Sequence, residues 1–179
     1  MLYLVRHGET DWNNEGRWQG HSDISLNQRG VEQAKRASEF FKENSIDIVY
    51  SSDLRRAMET AEILVGDSDI DIVSDPNLRE RYFGPLEGKT TDQIGDVLGR
   101  KVSILEIVSE DMPLQGVETV KNQFLRAETF LQNIRKDREL SKLVVSHGVF
   151  IGILLQLTTG IDFKKRKVGN CEIIKVEDF

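Results

Sequence analysis

Apolar positions along this chain follow two periods, and the alternation between them predicts an order of elements. Leu2-Tyr3-Leu4-Val5 is a short apolar run that predicts a strand. From Asn27 to Asn44 the apolar residues Val31, Ala34, Ala37 and Phe41 recur near helical spacing. Ile46 to Tyr50 predicts a second strand. Ser52 or Asp53 is placed to cap the helix that follows, whose buried face would be Leu54, Ala57, Met58, Ala61 and Leu64. Ile70 to Val73 predicts a third strand. Asn77 to Lys89 is rich in charge and glycine and predicts a loop; Thr90 to Gly116 predicts one or two short helices. Val117 to Arg138 predicts a long amphipathic helix with Val120, Phe124, Ala127, Leu131 and Ile134 on one face. Leu143 to Val145 predicts a fourth strand, Phe150 to Leu157 a buried helix, and Cys171 to Val176 a last strand with Cys171 as a core thiol.

Alternation of strands and helices implies an α/β fold, a three-layer sandwich with a mostly parallel central sheet flanked by helices. The 179 residues carry only 3 prolines and no repeat or Gly/Ser linker, so the expectation is one domain over 1–179. In such sheets ligands gather beyond the carboxyl ends of the strands.

Composition narrows the function. The charge balance of 24 Lys+Arg against 30 Asp+Glu, net −6, argues against a nucleic-acid partner. No apolar run approaches the ~18 residues of a membrane span, so no membrane partner is expected. A single cysteine excludes a disulfide framework, and a reduced thiol fits a cytoplasmic protein. The basic run Lys164-Lys165-Arg166-Lys167 reads as a solvated loop. Oligomeric state is left at monomer or homodimer.

The chemistry concentrates at strand ends. Two of the 3 histidines, His7 and His147, each precede a glycine directly after a predicted strand, and Arg6 adjoins the first. Neighbouring strands would bring both imidazoles into one crevice, with Gly8 and Gly148 letting the backbone approach a ligand. Arg55 and Arg56 both fall at the start of the helix after Ser51-Ser52, where a guanidinium adds to the helix dipole. Spacing does not choose between them. Histidines among guanidinium groups make a poor metal site and a good phosphoryl site, since one imidazole can attack phosphorus while cations hold the oxygens. No metal and no cofactor are expected. Glu80 and Glu87 are the candidate proton donors.

The blocks Arg6-His7-Gly8-Glu9-Thr10, Trp12-Asn13, Arg17 to Leu26, Ser52 to Ala61, Leu78 to Gly88, Gly116-Val117-Glu118-Thr119 and Val145-Ser146-His147-Gly148 together resemble the histidine phosphatase superfamily, which includes cofactor-dependent phosphoglycerate mutases and small phosphatases. The resemblance covers most of the chain in the family's order. It implies a phosphoglycerate mutase-like fold and a catalytic set of His7, Glu80 and His147, with His7 the nucleophile and Glu80 the acid/base carboxylate. It implies Arg6, Arg56, Asn13 and His147 at the phosphate, and Gln19 and Gly20 near the substrate. It prefers Arg56 over Arg55 and Glu80 over Glu87. His7 would attack as the neutral imidazole, its other nitrogen donating to a backbone carbonyl; His147 would be protonated, and Glu80 would carry a proton into the first step. Thr10 and His21 receive no role.

The mutase branch resembles this chain but carries a longer segment between the Glu80 and Gly116 blocks, where only Lys89 to Gln115 stands here. The expected function is hydrolysis of a small phosphorylated metabolite through a phosphohistidine. The alternatives are phosphoryl transfer by a phosphoglycerate mutase and a non-catalytic phosphate-binding module. An α-ribazole phosphatase, a phosphosugar phosphatase and a broad-specificity phosphatase are all candidates within the first reading.

Overall fold

The computed structural model describes residues 1–137, 139–177 and 179. In chain order its elements are β1 (Leu2–Arg6), α1 (Asp11–Asn14), α2 (Gln28–Glu43), β2 (Ile48–Ser51), α3 (Arg55–Val65), β3 (Ile72–Ser74), α4 (Thr91–Leu98), α5 (Ile104–Ser109), α6 (Val120–Ile134), β4 (Lys142–Ser146), α7 (Gly148–Thr159) and β5 (Ile173–Val176). The sheet order is β3-β2-β4-β1-β5. The first four strands are parallel and β5 runs antiparallel to β1. This is the mostly parallel α/β sandwich expected.

Side chains alternate across a strand, so β1 feeds both faces of the sheet. Leu2 and Leu4 pack with Val144, Phe130, Phe150 and Ile151 on the face covered by α6 and α7. Tyr3 and Val5 pack with Val49, Ala57, Ala61, Leu143 and Val145 on the face covered by α2 and α3. A third, smaller cluster lies away from the sheet. Phe83, Leu86, Ile94, Ile107 and Met112 bury one another, so the short Lys89 to Gln115 segment packs a small core together with Phe83 and Leu86. Thr90 starts α4 with a reciprocal capping box to Gln93, and Ser103 starts α5 by accepting from Glu106 N.

Several boundaries differ from expectation, each for a local reason. The α3 N-cap is Leu54, not Ser52 or Asp53, and no side chain caps it. Both expected caps are engaged elsewhere: Ser52 Oγ faces His147 Nε2 at 2.9 Å, and Asp53 takes a two-pronged contact from Arg79 at 2.7 and 2.5 Å. The long helix begins at Val120, because Glu118 N donates to Tyr82 O at 2.8 Å and Thr119 caps the helix. It ends at Ile134; Arg138, its expected end, lies outside the described residues. β2 and β3 each start two residues later than expected, where their pairing with each other and with β4 begins. Cys171 precedes β5 with φ +53°, so it is not a strand residue. It is half-buried against the α2–α3 side of the core, and burial pushes its thiol up to about 12.

Candidate active site

Register builds the site. β1 and β4 are parallel neighbours with Arg6 opposite Ser146, so the residues that follow, His7 and His147, leave the sheet side by side. His7 N donates to Ser146 O at 2.9 Å, and the two imidazole centroids stand 5.2 Å apart. β2 ends beside β4, which carries Ser52 and the start of α3 to the same edge. Among the described residues, a cavity of about 540 Å³ opens there and brings together Arg6, His7, Asn13, Gln19, Gly20, Arg56, Glu80 and His147. All eight expected site residues share it.

His7 is buried, and its Nδ1 lies 2.7 Å from Gly8 O. A carbonyl only accepts, so Nδ1 carries the proton and Nε2 keeps its lone pair. Burial first, then the Arg56 and Arg6 cations, hold His7 well below the ordinary imidazole value. The expected tautomer is the one present. Gly8 has a role other than ligand approach: a Cβ there would meet Gly30 O at 2.6 Å, so this glycine lets α2 close on the loop after β1.

Arg56 is fully buried, and three donors are engaged by the protein. Its Nη1 donates to Ser22 O at 2.8 Å, Nη2 to Gly20 O at 2.7 Å, and Nε to His147 Nδ1 at 3.2 Å. Guanidinium has five N–H groups, so two remain. Burial lowers Arg56 to about 10, which leaves it a cation at neutral pH. Arg55 is exposed and contacts Asp23 and Ser25, which separates the two arginines that spacing alone did not.

His147 departs from expectation. Its Nδ1 accepts from Arg56 and its Nε2 faces the Ser52 hydroxyl, so the ring is neutral. Burial, Arg56, His7 and Arg6 all push it well below the ordinary value. With two cations already beside it, a third charge on this buried ring is unfavourable until an anion arrives.

Arg6 donates from Nη1 to Val168 O at 2.7 Å, while its buried Nε has no partner among the described residues. Gln19 Oε1 is likewise buried and, among the described residues, unpartnered. These are an orphan donor and an orphan acceptor on the wall of one cavity, a combination that a ligand with both kinds of oxygen would satisfy. Asn13 Oδ1 accepts from Thr10 N at 3.2 Å in the capping box that starts α1, which gives Thr10 its place as a cap.

Glu80 is buried and held at both oxygens. Arg81 N donates to Oε1 at 2.9 Å, and Val149 N, in the first turn of α7, donates to Oε2 at 3.1 Å. His21 Nε2 donates to Glu80 O at 2.9 Å, so this histidine positions the backbone of the Glu80 loop. Glu87 stands apart from the cavity lining. Its Oε1 accepts from His21 N and Phe83 N, and its Oε2 from Ser22 N and Ser22 Oγ. It fastens the Gln19–Ser22 loop to the loop after Glu80. Gly20, at φ +53°, has no room for a Cβ, which would meet Glu87 Oε1 at 2.2 Å.

Three functional contacts escaped the sequence reading. Ser52, an expected helix cap, is the partner of His147. Asn170 Nδ2 donates to His7 O at 2.9 Å, from a loop with no distinguishing pattern. Arg81 is fully buried and donates to the carbonyls of Ile107, Glu110 and Glu118 at 2.7, 3.0 and 2.8 Å, tying α5 to the residue next to Glu80. The basic run is exposed at all four positions, as expected of a solvated loop, and Lys164, Arg166 and Lys167 also line the cavity. Among the described residues no three His, Cys, Asp or Glu side chains are placed to hold a metal ion, and no helix is long and apolar enough to cross a membrane.

Comparison with known proteins agrees with this geometry. Residues 2–178 match the family described as "Histidine phosphatase superfamily (branch 1)". The chain is 34% identical to "Probable phosphoglycerate mutase GpmB" of Enterobacter sp. strain 638, covering 99% of this chain and 84% of that one. The α-ribazole phosphatase of Shigella flexneri superposes with a TM-score of 0.86 at 26% identity, covering 96% of this chain and 87% of that one. The mycobacterial glucosyl-3-phosphoglycerate phosphatase, solved with VO3, superposes with a TM-score of 0.82 at 27% identity, covering 96% and 90%. Sequence and backbone thus agree over nearly the whole length, and this protein belongs to the histidine phosphatase superfamily.

Proposed function

We propose that this protein is a phosphomonoesterase that hydrolyses a small phosphorylated metabolite through a phosphohistidine. The observation that carries the reading is the His7 imidazole, whose proton is committed to Gly8 O while Nε2 keeps its lone pair in a cationic cavity. His7 Nε2 attacks phosphorus, the P–O bond to the alcohol breaks, and the proton of Glu80 goes to the leaving oxygen. The free N–H groups of Arg56 and Arg6 take the equatorial oxygens, Asn13 adds its amide, and neutral His147 has an Nε2–H, now facing Ser52 Oγ, to offer a phosphoryl oxygen. Glu80, now ionised, draws a proton from water as its oxygen attacks the phosphohistidine. The N–P bond breaks, phosphate leaves, and His7 and Glu80 return to their starting states. Gln19 and Gly20 border the alcohol.

The resemblance to phosphatase structures supports hydrolysis, and so does the short Lys89 to Gln115 segment. The mutase name of sequence relatives keeps transfer as the second reading. Incubation with 3-phosphoglycerate and 2,3-bisphosphoglycerate separates them: free phosphate appearing faster than 2-phosphoglycerate supports hydrolysis, and the reverse order makes the protein a mutase. A screen over phosphorylated metabolites, ribazole phosphate included, identifies the substrate.

A further inference from the structure

The basic run is built into the cavity wall. It is flanked by two buried residues, Phe163 and Val168, which fix its ends. Phe163 N donates to Gln156 Oε1 at 3.1 Å, and Lys164 N to Asp162 Oδ1 at 3.0 Å, so the first turn is held against α7. At the other end Val168 O accepts from Arg6, the guanidinium that adjoins His7. Between these anchors Lys164, Arg166 and Lys167 line the cavity and Lys165 does not. Arg166 pairs with Glu172 at 2.6 Å; Lys164 and Lys167 have no ion-pair partner among the described residues. A protein of net charge −6 therefore carries a cationic strap at the cavity that holds His7 and His147. Beside the strap lies α5, which packs against its first turn and lends the cavity Ile104 and Leu105, exposed by 63% and 50%. Leaving two large aliphatic side chains in water at a cavity mouth is unfavourable unless a ligand covers them.

Building on the phosphomonoesterase reading, we propose that Lys164 and Lys167, with Arg166, form a subsite for a second anionic group of the substrate. The substrate class is a phosphomonoester whose alcohol has an apolar body, placed against Ile104 and Leu105, and ends in its own anion. A cavity of about 540 Å³ has room for such a body beyond a single phosphoryl group. The strap is separate from His7, Arg6, Arg56, Asn13 and His147, the groups placed at phosphorus, so it acts on the choice of alcohol and not on the bond that breaks.

The test uses aryl phosphates that differ only in a distal substituent, a carboxylate or its primary amide, together with the matching non-hydrolysable phosphonates. Wild type is expected to favour the carboxylate ester by about fivefold or more in kcat/KM, a preference that shrinks as salt is raised. Lys164→Ala/Lys167→Ala should reduce the preference to about twofold or less while sparing the amide ester, and Lys165→Ala should leave it intact. Equal turnover of the two esters by wild type overturns the subsite and leaves the phosphatase reading standing. Equal loss on both esters in the double variant, or the same effect from Lys165→Ala, also overturns it. If neither ester is hydrolysed but the phosphonates still bind with the same preference, the phosphatase reading fails and the subsite stands; phosphonates bound without preference overturn the subsite.

Discussion

Arg56 Nε donates to His147 Nδ1 at 3.2 Å, inside a site where both side chains are fully buried. This bond sets the proton of His147 on Nε2, toward Ser52, and links the helix after β2 to the end of β4. It also shows why lysine cannot replace Arg56. An ammonium has no planar fork and cannot reach Ser22 O, Gly20 O and His147 Nδ1 together. Arg56→Lys should lower kcat/KM by roughly 10²–10³-fold, the usual scale for losing a preorganised donor to a reacting oxyanion. It should also lower the melting temperature, because two loop carbonyls lose their partner. Steady-state kinetics on a phosphomonoester with parallel thermal unfolding checks both.

Covalent catalysis through His7 predicts a phosphoenzyme that is labile in acid and stable in base. Quenching wild type with alkali during turnover of a ³²P-labelled substrate should retain label on the protein, and His7→Ala should retain none. The variant should be folded and nearly inactive. Activity of His7→Ala within tenfold of wild type would remove His7 from the mechanism.

The two glutamates of the Leu78 to Gly88 block should separate cleanly. Glu80→Gln should lose roughly 10²–10⁴-fold on alkyl phosphates, where the leaving oxygen needs a proton. With p-nitrophenyl phosphate the burst of p-nitrophenol should survive while turnover slows, because the phenolate leaves unaided and only the water step suffers. Glu87→Gln should keep its burst and its turnover on the molecules that remain folded. Its cost should fall on stability, about 1–3 kcal/mol, since the amide cannot accept from all four donors that Glu87 now serves. A damaging Glu87→Gln beside a mild Glu80→Gln in the burst assay would mean that the acid has been misassigned.

His7 and His147 also predict how stability responds to acid. Both are held well below the ordinary imidazole value by burial and by adjacent arginines. The unfolded chain takes up these two protons near pH 6.5 and the native protein does not. Stability therefore falls as pH drops below about 6.5, by up to about 1.4 kcal/mol per pH unit for each histidine, and neither residue contributes to the slope above pH 7.5. Urea midpoints at pH 7.5, 6.5 and 5.5 should decline in that order, and the decline should be shallower in His147→Gln. An anion in the pocket favours the protonated rings, so saturating phosphate should flatten the wild-type curve. A midpoint that holds steady down to pH 5.5 in phosphate-free buffer contradicts the neutral, buried assignment.

The order of elements was legible in the sequence because it rests on local patterns, while several residues that share the cavity, Asn13, Gln19 and Gly20 among them, were named by the resemblance. Short apolar runs and helical spacing located all five strands and the four longer helices, and the same strand-end context marked His7 and His147. The resemblance distinguished Arg56 from Arg55 and Glu80 from Glu87. What the tertiary structure decided depends on partners far away in the chain. His147 is neutral because Arg56 and Ser52, 91 and 95 positions away, meet it from the start of α3 and from just beyond the end of β2. His21, Arg81 and Glu87 are fasteners between loops, and Gly8 is small for the sake of Gly30. The four basic residues at 164–167 are the solvated loop their composition suggests, but its place beside the cavity follows from the burial of Phe163 and Val168 and from Arg6 holding the far end. Periodicity records which face of an element is covered, but the donors that meet a given acceptor follow from how the elements pack, and no pattern within one segment carries that information.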